Sequence, residues 1–136
     1  MIILVAQTSC TKESSSSTNL PTILGKWTLI SDSTLIKYSN GTSIRDTIIY
    51  PLYDVTTEFK TDSTVVIKEK VTGMPTRINT GRIRMDKDIL VWSYDYLPPR
   101  TDIFTIQTLS ETNLNLYIKR LGVNSVIEEW NNWKRY

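Results

Sequence analysis

From Leu24 onward the apolar residues recur at every second position, and no stretch sustains the 3.6-residue spacing of a helix. Side chains alternate across a strand but spiral around a helix, so this period commits the chain to β-structure. Thr, Val, Ile, Tyr and Trp abound, and alanine is absent after Ala6, which is strand composition. Turn residues cut the chain into segments of roughly 8–12 residues, the spacing of successive hairpins. Eight strands are predicted, over 25–37, 55–60, 64–71, 76–85, 89–96, 101–109, 113–121 and 126–136. The Pro98-Pro99 pair ends the fifth, because proline cannot donate to a ladder. The link 38–54, broken by Gly41 and Pro51, either covers one end with Ile48, Ile49, Tyr50 and Tyr53 or adds a ninth short strand outside.

Alternation assigns the faces. Val55, Thr57 and Phe59 share one face of the second strand, and Val65 and Ile67 share one face of the third. Ile83 with Met85, then Leu90, Trp92, Tyr94 and Tyr96, then Phe104 and Ile106, then Leu114, Leu116 and Ile118 continue an apolar inner face. Consecutive hairpins with one apolar face predict an eight-stranded up-and-down antiparallel barrel, an all-β architecture that leaves no exposed sheet edge. A chain of 136 residues is enough for one such core.

Several functions are disfavoured by composition. There is no histidine, which removes the commonest general base and the commonest zinc ligand. A single cysteine, Cys10, excludes an intrachain disulfide. The 16 basic and 14 acidic residues are interspersed. Arg77, Arg82, Arg84 and Lys87 read as a solvated strand face, so no nucleic-acid partner is expected. Glu128 and Glu129 are adjacent and face opposite sides of a strand. Asp62, Asp86 and Asp88 sit in turns. No phosphate loop or dinucleotide fingerprint occurs. The chain is expected to be no enzyme, with no cofactor and no metal.

The N-terminus reads as an address. The apolar run Met1 to Ala6 leads to Cys10, followed by the polar, serine-rich stretch Thr11 to Asn19. This order resembles a bacterial lipoprotein signal peptide with its lipobox. Gln7 departs from the family's aliphatic preference, and the apolar run falls short of the usual roughly 7–15 residues. The resemblance implies a signal peptide over 1–9, a lipidated Cys10 with a flexible tether over 10–22, and a barrel domain over 23–136. It implies a protein anchored by lipid to the outer membrane of a bacterial envelope, on its periplasmic or surface side. Acyl chains hold such a protein to the bilayer, each buried CH₂ contributing about 0.8 kcal/mol.

Leu24-Gly25-Lys26-Trp27-Thr28-Leu29 resembles the L-x-G-x-W-x-L opening of lipocalin-like domains in small bacterial lipoproteins. Phe59 to Thr64 resembles that family's F-x-x-D-G-T hairpin, with Ser63 in place of the glycine. Ile106 to Leu109 with Asn113 to Leu116, and the closing segment Glu129 to Arg135, follow in the family's order. The resemblance implies a lipocalin-like barrel and leaves the ligand unnamed. In it Gly25 admits a close approach at the barrel floor, and Trp27 plugs that floor beneath Lys134 or Arg135.

The candidate ligand site is the lumen. Phe59, Ile67, Trp92, Tyr94, Phe104 and Leu116 converge there, and Glu69 falls on the same face nearer the mouth. An inward carboxylate must be paired, solvated or protonated. The expected function is binding of a small hydrophobic or amphipathic ligand by a monomer. The alternative is a barrel filled by its own side chains, serving protein interaction or envelope structure.

Overall fold

The computed structural model describes residues 22–51 and 53–136. Cys10, the signal peptide and most of the tether lie outside the described residues. Nine strands occur among the described residues: β1 (Gly25–Tyr38), β2 (Ser43–Ile49), β3 (Val55–Phe59), β4 (Thr64–Glu69), β5 (Arg77–Asp86), β6 (Ile89–Tyr94), β7 (Arg100–Leu109), β8 (Asn113–Leu121) and β9 (Ser125–Arg135). All neighbours are antiparallel, and β9 returns to pair with β1 from Trp27↔Arg135 to Tyr38↔Ser125. That pairing closes the sheet into a barrel.

Eight positions around the wall hold nine strands because β2 and β3 share one edge of β1. β2 pairs with Ser31 to Lys37, and β3 pairs with Gly25 to Thr28. The break between them contains Pro51 and Tyr53, the latter at φ 72. Tyr50 N–H still donates to the Ile30 carbonyl, and Tyr53 N–H donates to the Thr28 hydroxyl, so the interrupted strand stays on its ladder. The segment 38–54 is thus an upward extension of the second barrel strand rather than a cap. Ile48 and Ile49 are exposed on it. Tyr50 packs on the core, and Tyr53 packs on Tyr136 with ring centroids 4.7 Å apart.

The turns follow local chemistry. Lys87, at φ 55, makes the short β5–β6 hairpin. Ser63 takes φ 65 where the resembling motif has glycine. Asp62 holds that turn by accepting from Thr64 N–H at 3.0 Å and Thr64 Oγ1 at 2.6 Å. These bonds also hold the Asp62 carboxyl below the usual carboxylate range.

The inner face is a single core of Trp27, Leu29, Phe59, Val65, Ile67, Leu90, Trp92, Phe104, Leu114, Leu116, Ile118 and Trp133 with Ile23 beneath. Burial of these side chains is the main stabilising term, on the order of 2 kcal/mol for each. Two bulges interrupt the alternation. In β1, Leu29 faces Trp133 and Ser31 faces Asn132, leaving Ile30 as the extra residue. In β7 the register shifts between Ile106 and Thr108. Met85, expected on the apolar face, is exposed near the end of β5.

One end of the barrel is closed. Trp27 is fully buried and donates its indole N–H to the Ile23 carbonyl at 2.7 Å. Of the two candidate cations, Arg135 is the one over the Trp27 ring, 4.3 Å from its centroid. Its guanidinium also donates to the Leu24 and Thr22 carbonyls at 2.9 and 2.7 Å. Gly25 has φ 112, and a Cβ there would lie 3.1 Å from Arg135 Nη1. The floor therefore needs a glycine at this point for conformation and for space.

Candidate functional site

The opposite end holds a cavity of about 140 Å³. It is lined by Val55, Thr57, Ile67, Glu69, Trp92, Tyr94, Tyr96, Phe104, Asn131 and Trp133. Five of the seven lumen residues expected from sequence meet there: Ile67, Glu69, Trp92, Tyr94 and Phe104. Phe59 and Leu116 do not line it. Both are packed deeper, and Phe59 lies edge-on to Trp92 at 5.2 Å. They are wall residues of the filled part of the barrel.

Residues two apart along β6 and just past its end build the aromatic side. Trp92 stacks on Tyr94 at 5.2 Å with an interplanar angle of 16°, and Tyr94 stacks on Tyr96 at 5.1 Å and 11°. Arg100 lies 5.9 Å from the Tyr94 centroid. Burial pushes the Tyr94 phenol well up, and Asp102 adds to the rise. Burial, then the negative field of Glu69, raises Tyr96 as well.

The other side of the mouth is ionic. Asp102, almost wholly buried, accepts from Arg100 Nε at 3.1 Å and pairs with Arg100 Nη2 at 2.8 Å and Arg120 Nη2 at 3.2 Å. Arg120 in turn pairs with Glu129. A carboxylate this buried is tolerated because two guanidiniums saturate it. Sequence reasoning missed this network. The signal was present, because Asp102 precedes Phe104 and Arg120 follows Ile118 on the same inward parity.

The β1 bulge brings one further carboxylate to this rim. Past Ile30 the inward residues are the even ones, and Asp32 faces Asn131. Asn131 Nδ2 donates to Asp32 Oδ1 at 3.1 Å. Burial, then the adjacent Glu129 charge, raises the Asp32 carboxyl above the usual range. Among the described residues no ion pair is formed by Asp32 or Glu69. Arg77, opposite Glu69 on β5, is exposed. Trp92 Nε1, Trp133 Nε1 and Thr57 Oγ1, all from residues lining the cavity, are buried without a hydrogen-bond partner.

No family model and no curated protein matches the chain. Among solved structures it is similar to a lipocalin-like protein from Bacteroides uniformis, with 13% identity over 83% of this chain and 97% of that one, at a TM-score of 0.53. An uncharacterized protein from Bacteroides eggerthii aligns over 83% of this chain and 98% of its own, with 11% identity and a TM-score of 0.49. At such identity the first likeness is one of architecture, and it agrees with the closed antiparallel wall described above: the chain has the lipocalin-like β-barrel fold.

Proposed function

We propose that this protein is a non-enzymatic binding module, held to the bacterial envelope through lipid on Cys10, that takes a small amphipathic ligand at the mouth of its barrel. The observation that carries the reading is the mouth cavity, apolar and aromatic in its depth and polar at its rim. That arrangement suits a ligand with one greasy and one polar end. Size sets the class. About 140 Å³ is close to the roughly 150 Å³ that suffices for benzene. A ring-sized body fits, and a long acyl chain does not, because the rest of the lumen is filled by side chains.

Trp92 in the cavity wall makes intrinsic fluorescence a direct readout. Titration with benzyl alcohol, benzylamine and benzoate is expected to give saturable quenching with at least one of them. Ligands this small should have a Kd on the order of 1 mM. Val55→Phe, which fills the cavity from the rim, is expected to abolish the response while the barrel stays folded by circular dichroism. No saturation with any of the three would refute the reading. For the anchor, Cys10→Ala is expected to move the protein from the membrane fraction to the soluble fraction of a producing bacterium. An unchanged distribution would defeat that part.

A further inference from the structure

We propose that the mouth cavity is an amine site, in which a ring-sized apolar body packs below and its ammonium group sits at the rim between Glu69 and Asp32. This rests on the reading of the cavity as the binding site and names the class of ligand.

Charge bookkeeping at the mouth is the first argument. Arg100, Asp102, Arg120 and Glu129 form a network that is neutral within itself, two cations against two carboxylates. Glu69 and Asp32 form no ion pair with it among the described residues, although the Glu129 and Arg120 charges both reach Asp32. Glu69 lines the cavity, and Asp32 is joined to it through Asn131, which also lines the cavity. Each is partly buried, and neither has a cation on it among the described residues. Arg77 is the cation nearest in register, and it projects exposed from the next strand. A half-buried carboxylate calls for a partner.

The wall below gives the second argument. Ring faces carry negative potential, and Arg100 already exploits it over Tyr94. Tyr96, the outermost ring of the stack, extends the same potential toward the rim. The same wall holds two buried donors without partners, the Trp92 and Trp133 indole N–H groups, which an acceptor atom on the ligand, and not its ammonium, would satisfy. A carboxylate or phosphate ligand would meet Glu69 and Asp32 with like charge and is selected against.

The test compares benzylamine, benzyl alcohol and benzoate, near-equal in size and differing in charge, by Trp fluorescence and calorimetry at neutral pH. Benzylamine is expected to bind about tenfold tighter than benzyl alcohol, the increment of one charge-assisted hydrogen bond, with benzoate weakest. Glu69→Gln and Asp32→Asn should each erode the amine's advantage and leave the alcohol unchanged. Equal affinity for amine and alcohol, or tightest binding of benzoate, overturns the amine assignment while the binding reading stands. Silence from all three probes overturns both. Should either variant fail to fold, the ranking on the unaltered protein decides alone.

Discussion

Replacing Arg135 with alanine is expected to open the closed end of the barrel, and the size of the loss follows from three contacts. The guanidinium over the fully buried Trp27, 4.3 Å from the ring centroid, contributes about 1–2 kcal/mol. Its bond to the Leu24 carbonyl at 2.9 Å adds about 1.5 kcal/mol. The bond to the exposed Thr22 carbonyl at 2.7 Å is discounted for competition with water to roughly half of that. The total is about 3–4 kcal/mol. In a domain of this size each kcal/mol moves Tm by about 3–6 °C, so a fall of at least about 10 °C is expected. Arg135→Lys should recover only part of this, because one ammonium cannot reach two carbonyls and cover a ring together. Thermal and urea melts followed by near-ultraviolet circular dichroism, which senses the buried Trp27, measure both variants. A loss below about 1 kcal/mol for the alanine variant, or full recovery by lysine, would refute the claim that this side chain seals the floor.

Two further outcomes are expected. A methyl group at Gly81 would lie 2.4 Å from the Ser93 carbonyl oxygen and 3.2 Å from Val65 Cγ1, so Gly81→Ala must part β5 from β6. A cost near the top of the about 1–3 kcal/mol range for overpacking is expected in urea melts. Gly73→Ala has open space around it and bears only the strain of φ 80, so a Gly81 variant no worse than the Gly73 variant contradicts the packing. Asp32 governs the second outcome. Its folded-state carboxyl is raised, chiefly by burial, so the native state holds that proton more tightly than the unfolded chain. Stability is then lost as pH climbs from the ordinary value of 3.8 through the raised one. Asp32→Asn should therefore gain Tm at neutral pH, with the gain vanishing below pH 3.8. A gain that persists in acid would point to a cause other than this ionisation.

The apolar inner face is legible because its strands keep strict alternation. Phe59, Val65, Ile67, Leu90, Trp92, Leu114 and Leu116 were placed on the inner face from spacing alone, and all are buried. The upper barrel was harder because spacing there misleads. The extra residue Ile30 shifts β1 by one, so Asp32 turns inward where unbroken counting turns it outward. Pro51 hides the continuity of β2 with β3, although Asn40-Gly41 is itself a hairpin signal. Asp102 and Arg120 share the inward parity of Phe104 and Ile118, but a charged residue at such a position carries no apolar signal to mark it, and here it forms the polar end of the lumen.

That polar end is where a purely structural barrel would be expected to look different. Removing charges from water is costly, and apolar residues of similar volume commonly serve a core as well or better. A barrel selected only for stability would continue the Phe104 and Ile118 faces upward with more of the same. Instead the wall carries Asp102 and Arg120 at those positions, admits Asp32 through a bulge, and leaves Glu69 without a counter-ion among the described residues. Departures from local rules that gather at one place, beside the cavity between Trp92 and Trp133, are the pattern expected where stability has been yielded to binding. The sealed floor and the charged mouth are in this sense two halves of one arrangement, since a rim that costs stability is offset by the packed core and the Arg135-covered Trp27 at the other end.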